Sequence, residues 1–302
     1  MLIKSPLNYI GGKYRILPQL LRFFPEHIDI CYDLFSGGCN VGVNVNAGRT
    51  VCNDTQREII NLFKTFQKTK KDNIVDCIRA VISDYSLSNS AKYGYSHYGC
   101  DSSSGLGKYN KPQYEKLRSD FNKCREHQDD INHFIMFYTL IVFAFNNQIR
   151  FNANRMFNMP VGKRDFNTSI HKKLTQFTEK IQNTDIEFTN RDFTEFADRI
   201  TCSDFVYCDP PYLITCATYN ENKQWTEQNE KELLCFLDQM NSRNIRFALS
   251  NLLYHKNRVN TFLKEWSKSY TIHVINSNYR NCNYQLKNRT DKSTCEVLVT
   301  NY

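Results

Sequence analysis

The sequence of 302 residues lacks an apolar stretch long enough to cross a bilayer. Its longest apolar run, from Phe134 to Phe145, has twelve residues, which suits a buried helix. The N-terminus also lacks the apolar segment of a signal peptide. We therefore expect a soluble protein that is located in the cytoplasm and has no membrane partner.

Metal-binding and disulfide patterns are missing as well. The twelve cysteines are scattered, no two have Cys-x-x-Cys spacing, and no histidine stands near them to complete a zinc site. We expect no metal, and we interpret the cysteines as reduced, mostly buried small hydrophobic residues of an intracellular protein.

What the sequence does contain is typical of a globular protein. Hydrophobic residues make up 41% and charged residues 23% of the chain, and its length allows one large domain or two smaller ones. The 39 lysines and arginines exceed the 31 acidic residues, and the resulting net charge of +8 favours an anionic partner. Aromatic residues are frequent at 14%, which suits stacking surfaces as well as cores.

The stretch Phe205–Cys208 favours extended backbone and predicts a short buried strand of a parallel sheet. Pro210 and Pro211 end this strand, because neither can donate a hydrogen bond and each restricts the residue before it. Asp209 and Tyr212 are therefore expected at the carboxyl end of a strand, where open α/β sheets bind their ligands. The alternative is an ordinary proline-stiffened turn that is capped by Asp209.

A loop with paired glycines, Pro6–Lys13, precedes a predicted helix from Tyr14 to Phe24. Gly11 and Gly12 would let the backbone approach a ligand closely, and Lys13 would be available to a carboxylate. The spacing does not match a phosphate-binding P-loop. A flexible turn with a solvated lysine is the alternative interpretation.

A strand, a glycine turn and the start of a helix are predicted from Ile30 to Gly42. Glycines at such a turn allow a tight bend and keep side chains away from a nucleotide. The next predicted strand, Thr50–Asp54, ends in an acid, which at this place in a βαβ unit commonly accepts hydrogen bonds from ribose hydroxyls.

The middle of the chain departs from this α/β pattern. Helical periodicity extends from Gln56 to about Asp84, and two more helices are predicted at about 113–127 and 131–145. Between them, Ser86 to Tyr114 is rich in serine, glycine and tyrosine and predicts a long loop, which is usually functional or disordered.

The segment from Asn146 to Arg164 combines cations with amides. It contains Arg150, Arg155 and Lys163, five asparagines and no acid. Cations that pair with phosphates and amides that read base edges are what a nucleic-acid surface needs. A solvated, turn-rich hairpin fits the composition equally well.

After Asp165 the alternation of helices and strands returns. The predicted helices are Thr168–Gln182, Glu227–Asn241 and Asn257–Lys268, and the predicted strands are Asp185–Thr189, Ile245–Ser250, Tyr270–Asn276 and Cys295–Thr300. The polar, basic loop Ser277–Ser293 suits a phosphate clamp, or a flexible basic loop without a ligand.

Four blocks, in this order, resemble the Dam family of DNA adenine-N6 methyltransferases, and the closing Glu296-Val-Leu-Val extends the similarity over nearly the whole chain. The blocks are Asn8-Tyr-Ile-Gly-Gly-Lys13, Asp33-Leu-Phe-Ser-Gly-Gly38, the hairpin from Arg150-Phe-Asn to Phe157-Asn-Met-Pro-Val-Gly162, and Asp209-Pro-Pro-Tyr212. One position departs from the family. Where relatives usually have a further glycine this chain has Cys39, which leaves the shape of that loop open.

This resemblance implies an α/β fold: a Rossmann-like class I methyltransferase sheet with an inserted, mainly helical DNA-recognition domain that has a β-hairpin. It implies a catalytic domain formed by residues 1–60 and 165–302, and a recognition domain formed by residues 61–164. The implied activity is site-specific transfer of a methyl group from S-adenosylmethionine to N6 of a flipped-out adenine in double-stranded DNA, by a monomer and without a metal. The best-known target of the family, GATC, is the default expectation.

The resemblance also implies roles for individual residues. The implied catalytic residues are Asp209, Pro210, Pro211 and Tyr212. The implied cofactor-binding residues are Tyr9, Lys13, Asp33, Phe35, Gly37, Asp54 and Asp209. The implied DNA-binding residues are Asn147, Arg150, Asn152, Arg155, Asn158, Lys163 and Arg289.

Two alternatives stay open at this point. The methylated amine could be N4 of cytosine, or the polymer could be RNA, although the order of the blocks favours adenine in DNA. A DNA-binding protein that no longer catalyses is the second alternative, and an altered Asp-Pro-Pro-Tyr would have supported it. The motif is intact.

Overall fold

The structure, a computed structural model, describes residues 1–124, 130–215, 225–276 and 294–302. These residues form two compact units. The first unit comprises Met1–Gly12 and Gln56–Thr184, and the second unit comprises Lys13–Thr55 and Asp185–Tyr302.

The described residues contain nine α-helices and eight β-strands. The helices are α1 (Leu17–Leu20), α2 (Arg57–Lys68), α3 (Lys71–Asp84), α4 (Ser90–Tyr93), α5 (Gly107–Lys123), α6 (Ile131–Phe143), α7 (Thr168–Gln182), α8 (Glu227–Ser242) and α9 (Thr261–Trp266). The strands are β1 (Ile30–Asp33), β2 (Arg49–Asn53), β3 (Ile186–Thr189), β4 (Phe205–Cys208), β5 (Arg246–His255), β6 (Arg258–Val259), β7 (Thr271–Ile275) and β8 (Thr294–Thr300). Within the described ranges, no helix has the length and apolar character needed to cross a membrane.

The second unit is built on one sheet with the strand order β3-β2-β1-β4-β5-β8-β7, and β6 pairs with β5 beside this path. The first five strands of this order pair in parallel, whereas β8 runs antiparallel to both β5 and β7. All four residues of β4 are buried, as expected for an apolar strand in a parallel sheet. The prediction of an α/β fold with a mostly parallel sheet is confirmed.

The strand order reverses between β1 and β4. From β1 the chain continues to β2 and β3 on one side, and β4 is followed by β5 on the other. Asp33 pairs with Tyr207 across this junction, so the carboxyl ends of β1 and β4 lie side by side. Such a reversal opens a crevice beyond the carboxyl ends, which is the usual ligand site of an open α/β sheet.

Helix α8 covers one face of this sheet. It begins with a capping box in which the Thr226 hydroxyl accepts the N–H of Asn229 over 3.2 Å. Leu233, Leu237 and Met240 on this helix are buried in the core of the unit. Fully burying one such side chain stabilises the fold by about 1.5–3 kcal/mol, so this apolar face holds the helix in place.

The first unit is helical around α6. The sequence of α6 is apolar on nearly every side, and nine of its residues are buried. A helix with this pattern belongs in the middle of a bundle. It contacts α2, α3 and α5.

Some elements differ from the sequence-based prediction. The helix predicted from Gln56 to Asp84 is divided into α2 and α3, because the backbone of Thr69 is extended. The helix predicted from Tyr14 to Phe24 is the single turn α1 between two short 3-10 helices. No regular helix follows the glycine turn after β1: residues 37–44 form consecutive turns.

The end of the predicted long loop and the start of α9 also differ from the prediction. The long loop predicted up to Tyr114 ends at Gly107, where α5 begins, and it includes the single turn α4. Helix α5 continues through Pro112, its sixth residue, although a proline inside a helix removes one backbone hydrogen bond and crowds the preceding turn. Helix α9 starts at Thr261, later than predicted, because the side chain of Asn260 caps it.

The cysteines are less buried than the sequence suggested. Of the ten cysteines in the described residues, all unpaired, four are buried, three are half-buried and three are exposed. The expectation that most are buried was wrong, because Cys124, Cys202 and Cys235 lie on the surface at a helix end, in a turn and on α8.

Candidate functional site

Asp209 directly follows β4, at the carboxyl end of the strand. Its two oxygens have different partners. The ammonium group of Lys13 lies 2.7 Å from Oδ2, and the hydroxyl of Tyr212 donates to Oδ1 over 3.0 Å. A turn follows, in which the N–H of Thr215 donates to the Tyr212 carbonyl over 2.9 Å. The structure therefore brings Lys13 and the Asp-Pro-Pro-Tyr motif together in the second unit.

A second carboxylate, Glu296 of β8, joins this pair. It is only 1% exposed, and its Oε1 accepts the hydroxyl of Tyr212 over 3.2 Å and lies 3.9 Å from Lys13 Nζ. From the sequence, Glu296 was interpreted only as part of the closing strand. An acid within an otherwise apolar strand was the signal that could have indicated more. We call Lys13, Asp209, Tyr212 and Glu296 the carboxylate cluster.

Some features around Asp209 raise the pKa of its carboxyl group and others lower it. Burial raises the pKa of the Asp209 carboxyl above its ordinary value, and the Lys13 ammonium opposes this rise. The negative charge of Glu296 raises the same pKa, and the Tyr212 hydrogen bond lowers it. A carboxylate has about four lone-pair sites, so Asp209 can accept further N–H groups beside Lys13 and Tyr212.

The loop after β1 is fastened to the end of β2. The N–H of Ser36 donates to the Asn53 carbonyl over 2.8 Å, and the N–H of Gly37 donates to Oδ2 of Asp54 over 2.8 Å. Gly37 has φ of 47°, a left-handed conformation that glycine adopts without steric cost. Besides the cofactor role predicted for it, Asp54 thus fixes the shape of this loop.

Cys39, at the position where the resemblance led us to expect a glycine, also adopts a left-handed backbone, with φ of 59°. This conformation costs a residue with a side chain roughly 1–2 kcal/mol. The thiol is buried and lies 3.1 Å from the sulfur of Cys52. Position 42 of the same loop, in contrast, requires glycine, because an added Cβ would collide with the Cys52 sulfur. The loop therefore keeps its tight path although residue 39 is a cysteine.

Asp33 ends β1 and is 1% exposed. Its Oδ2 accepts the N–H of Gly42 over 3.0 Å, whereas its Oδ1 has no hydrogen-bond partner among the described residues. Burial raises the pKa of Asp33 well above its ordinary value, and the negative charge of Asp209 adds to this effect. Because a buried acceptor without a donor is unfavourable, Oδ1 is a candidate to receive a donor from a ligand.

Three rings form an aromatic wall next to β1: Phe35, Phe193 and Trp225. The ring centroid of Phe35 lies 5.5 Å from that of Phe193 and 5.6 Å from that of Trp225, which meets it edge-on. The indole N–H of Trp225 donates to the buried Glu230 over 2.6 Å. Of these three residues, the sequence motifs indicated only Phe35. Trp225, one of two tryptophans in the chain, could have been found by its place shortly after the Asp-Pro-Pro-Tyr motif.

Tyr9 belongs to the first unit, unlike the other predicted cofactor residues. Its hydroxyl donates to Oε1 of Gln56 over 3.3 Å, and its carbonyl accepts the N–H of Gly12 over 3.1 Å. The second unit contains the remaining residues of that prediction: Lys13, Asp33, Phe35, Gly37, Asp54 and Asp209.

The predicted DNA-binding segment forms a hairpin in the first unit. Two antiparallel bridges define it, Ala144 with Val161 and Phe151 with Phe157. Helix α5 anchors it, because the side-chain amide of Asn122 exchanges hydrogen bonds of 2.9 and 3.0 Å with the backbone of Phe157. The hairpin is therefore held by helix α5 as well as by its own two bridges.

Several of the predicted DNA-binding side chains stabilise the hairpin itself. The guanidinium of Arg150 donates to the side chain and the carbonyl of Asn158 over 2.8 and 3.0 Å. The Asn152 side chain accepts the N–H of Met156 over 2.9 Å. Arg155 lies exposed at the tip with φ of 56°, and among the described residues its guanidinium has no hydrogen bond or ion pair.

The other two described residues of this prediction lie at the ends of the hairpin. The Asn147 amide donates to the carbonyl of Val142 over 2.5 Å and so caps the end of α6. The Lys163 ammonium donates to the carbonyl of Ser103 over 3.1 Å. Arg289 and the loop Ser277–Ser293 lie outside the described residues.

Lys163 joins the hairpin to the serine- and tyrosine-rich segment. Next to it, Asp165 is buried and accepts three hydrogen bonds, from the Ser88 hydroxyl over 3.1 Å and from the N–H and hydroxyl of Ser90 over 2.6 and 2.7 Å. The buried Asn110 binds Ser88 from the other side, with bonds of 2.8 and 2.9 Å. Asp165 and Asn110 thus hold the start of this segment in a defined position.

Comparisons with known proteins agree on the family. The model of the D12 class N6 adenine-specific DNA methyltransferases matches residues 9–281. The chain is 38% identical over 307 residues to "Type II methyltransferase M.FokI" of Planomicrobium okeanokoites and 37% identical over 309 residues to "Modification methylase StsI" of Streptococcus sanguinis. Each match covers 99% of this chain and 43% of the relative.

A more distant relative is similar in length. The chain is 24% identical over 273 residues to "DNA adenine methylase" of Escherichia coli (strain K12), a match that covers 89% of this chain and 86% of that protein. The chain therefore spans less than half of M.FokI and StsI but corresponds to most of the shorter enzyme. On the match over residues 9–281, this chain belongs to the D12 class of N6 adenine-specific DNA methyltransferases.

Proposed function

We propose that this chain transfers a methyl group from S-adenosylmethionine to N6 of adenine within a short, specific sequence of double-stranded DNA. The observation that supports this most directly is the carboxylate cluster at the end of β4, in a chain of this family. It places an acceptor, Asp209, beside the aromatic ring of Tyr212 at the position where an α/β sheet binds its ligands.

The residues of the second unit fit S-adenosylmethionine. The ribose hydroxyls need acceptors and the adenine ring needs an apolar surface, and Asp54 and the aromatic wall offer these groups. Oδ1 of Asp33, which has no hydrogen-bond partner in the described part of the chain, suits a donor of the cofactor. When bound, S-adenosylmethionine supplies a methyl group that its positively charged sulfonium makes electrophilic. Carboxylates are suitable neighbours for that charge.

Asp209 is proposed to act on the amino group of the target adenine. This amine is a poor nucleophile, because its lone pair is delocalised into the ring. An acceptor for its hydrogens favours a tetrahedral nitrogen and localises the lone pair. The Asp209 carboxylate and the Pro210 carbonyl, both at the end of β4, are the proposed acceptors, and their effect is electrostatic and directional.

Tyr212 is proposed to stack on the adenine, and its hydroxyl has a separate task. Its oxygen lies 3.0 Å from Oδ1 of Asp209 and 3.2 Å from Oε1 of Glu296, so the two carboxylates share its single hydrogen. The two acceptors, one directly after β4 and the other on β8, restrict the rotation of the ring. A ring that is already fixed loses little entropy when the base binds, which favours correct positioning.

We assign DNA recognition to the first unit, whose segment Gln56–Thr184 spans the predicted recognition domain of residues 61–164 between the two catalytic segments. Arg155 and Lys163 are exposed cations that suit phosphates, and Asn152 offers an amide near the hairpin tip. An adenine inside a duplex is out of reach, so the base has to be flipped out at a cost of a few kcal/mol.

The finer features are also proposals. We expect a monomer that acts in the cytoplasm and requires no metal, and we take GATC as the first target to test. The names "Type II methyltransferase" and "Modification methylase" of two relatives favour a modification methylase over an enzyme that marks a chromosome.

The proposal is tested by incubating the protein with labelled S-adenosylmethionine and unmethylated plasmid, and by mapping modified bases through sequencing. We expect N6-methyladenine at one short motif and no label in RNA of the same sequence. If the product is N4-methylcytosine, or if only RNA is labelled, the substrate is cytosine or RNA and not adenine in DNA. Bound cofactor without any transfer would favour a DNA-binding protein that no longer catalyses.

A further inference from the structure

Glu230 of α8 has a buried carboxylate. It is 0% exposed, and no cationic side chain of the described residues forms an ion pair with it. Three donors surround it instead. The Trp225 indole N–H reaches Oε2 over 2.6 Å, and the amides of Asn251 and Asn260 reach Oε1 over 3.0 and 2.7 Å. A buried charge needs such hydrogen bonds to be tolerated.

The two asparagines cannot turn their amides around freely. The side-chain oxygen of Asn251 accepts the N–H of Leu252 over 2.8 Å, and that of Asn260 accepts the N–H of Leu263 over 3.0 Å. Turning either amide would break one of these bonds. Position 230 is therefore surrounded by fixed donors, and a carboxylate is the side chain that accepts all of them.

One of the three donors connects Glu230 to the aromatic wall. Trp225 is half-buried, and its only hydrogen bond among the described residues is the one to Glu230. Its ring meets Phe35 at an angle of 82° with centroids 5.6 Å apart. The bond to Glu230 fixes which edge of the indole faces inward, and so it fixes the face that the wall presents.

We infer that Glu230 is a positioning residue that holds Trp225 as one wall of the S-adenosylmethionine pocket and thereby sets cofactor affinity. This inference rests on the proposed function, since it requires that the cofactor binds at the aromatic wall. Glu230 itself touches neither the cofactor nor the target base. Its effect passes through the indole ring.

Glu230→Gln is the sharpest substitution. Glutamine has the same shape but one oxygen, so it can accept from the two asparagines or from Trp225, and its NH₂ group then faces a donor. We expect S-adenosylmethionine binding to weaken about tenfold, since one buried hydrogen bond is lost. KM for the cofactor should rise while kcat changes little. The matched control is Glu232→Gln, an exposed glutamate on the same helix.

The first experiment is calorimetry with S-adenosylmethionine on four proteins: the unaltered chain, Glu230→Gln, Trp225→Phe and the double variant. Phenylalanine keeps an aromatic ring but removes the indole N–H. We expect Glu230→Gln to weaken binding in the presence of Trp225 and to have little further effect in the Trp225→Phe background. Equal weakening in both backgrounds, or none in either, would overturn the inference.

A second measurement needs no change at Glu230 and covers the case in which that variant does not fold. The chain has two tryptophans, so Trp266→Phe leaves Trp225 as the only indole emitter. Saturating S-adenosylmethionine should change its fluorescence. Unchanged emission, with binding shown by calorimetry, contradicts the inference and leaves the proposed function standing. An unaltered chain that binds no cofactor overturns both.

Discussion

At the scale of single residues, Lys13 is the part of the site whose sequence signal was weakest and whose contacts are most specific. A lysine after two glycines fits a solvated turn equally well. In the structure it is 4% exposed and lies between Asp209 and Glu296. Two carboxylates this close would repel each other, so the ammonium makes their proximity possible.

The pH dependence of activity tests this role of Lys13. Because the ammonium lowers the pKa of Asp209, Lys13→Met should raise that pKa further. Asp209 has to be ionised to accept the amine, so the acidic limb of the kcat profile should move to higher pH. At a fixed pH on that limb the variant is slower than the unaltered chain.

The measurement is the rate of methyl transfer at saturating cofactor between about pH 5 and 9. This range lies above the ordinary pKa of an aspartate and so covers a raised one. Lys268→Met, which removes an exposed lysine of the same unit, is the control. An acidic limb that stays in place in Lys13→Met would show that Lys13 does not tune Asp209.

At the scale of elements, the segment between α3 and α5 shows how a stretch predicted to be a loop can be ordered. It has no apolar periodicity, so the sequence predicted a long loop. The structure holds its start with hydrogen bonds to Asp165, 75 residues after Ser90, and to Asn110 of α5, 22 residues after Ser88. Such contacts leave no local signal, which is why the sequence could not indicate them.

Substitution of Asp165 tests this anchoring. Asp165→Ala leaves the donors of Ser88 and Ser90 without an acceptor in a buried place, and we expect the free energy of unfolding to fall by about 2–4 kcal/mol. Denaturant unfolding measures the loss. Limited proteolysis should show new cleavage between α3 and α5.

Asp84→Ala, which removes an exposed acid near the same segment, should leave both readouts unchanged. If Asp165→Ala proves as stable and as protease-resistant as this control, the hydrogen bonds of Asp165 do not hold the segment.

The hairpin is the second element with a testable role. Arg155→Ala removes an exposed cation from the tip, and we expect DNA affinity to fall with little change in sequence preference. The plot of log affinity against log salt should lose about 0.9 of its slope for one phosphate contact. Arg79→Ala, on α3 of the same unit, is the matched control.

Binding is measured by fluorescence anisotropy with a labelled duplex at several salt concentrations. An unchanged salt slope in Arg155→Ala would show that Arg155 at the hairpin tip does not contact a DNA phosphate. A changed sequence preference would instead assign Arg155 to base recognition.

At the scale of the whole molecule, the sequence predicted most of the features that depend on local rules. The strand before Asp209, the acid after β2 and the helices α6 and α7 could be placed because apolar periodicity and prolines act over a few residues. The type of sheet came from the family resemblance, and the order of its strands was not readable from periodicity.

The features that the sequence did not predict depend on contacts between residues that are mostly far apart in the chain. Glu296 matters through Tyr212, 84 residues before it, and Glu230 matters through Asn251 and Asn260 as well as the nearby Trp225. The left-handed Cys39 departs from what its residue type prefers, because the loop around it fixes the backbone. Sequence signals of such residues are weak because the fold creates their environment.

The most direct test of the account is single-turnover methyl transfer by Asp209→Asn, with nucleoside mass spectrometry of the DNA. Asparagine keeps the shape of the side chain but loses the charge and one acceptor oxygen. We predict that the unaltered chain forms N6-methyladenine and that the variant is slower by roughly 10²–10³, while still binding S-adenosylmethionine. N6-methyladenine formed at an undiminished rate by Asp209→Asn would contradict the central claim that this carboxylate activates the amine.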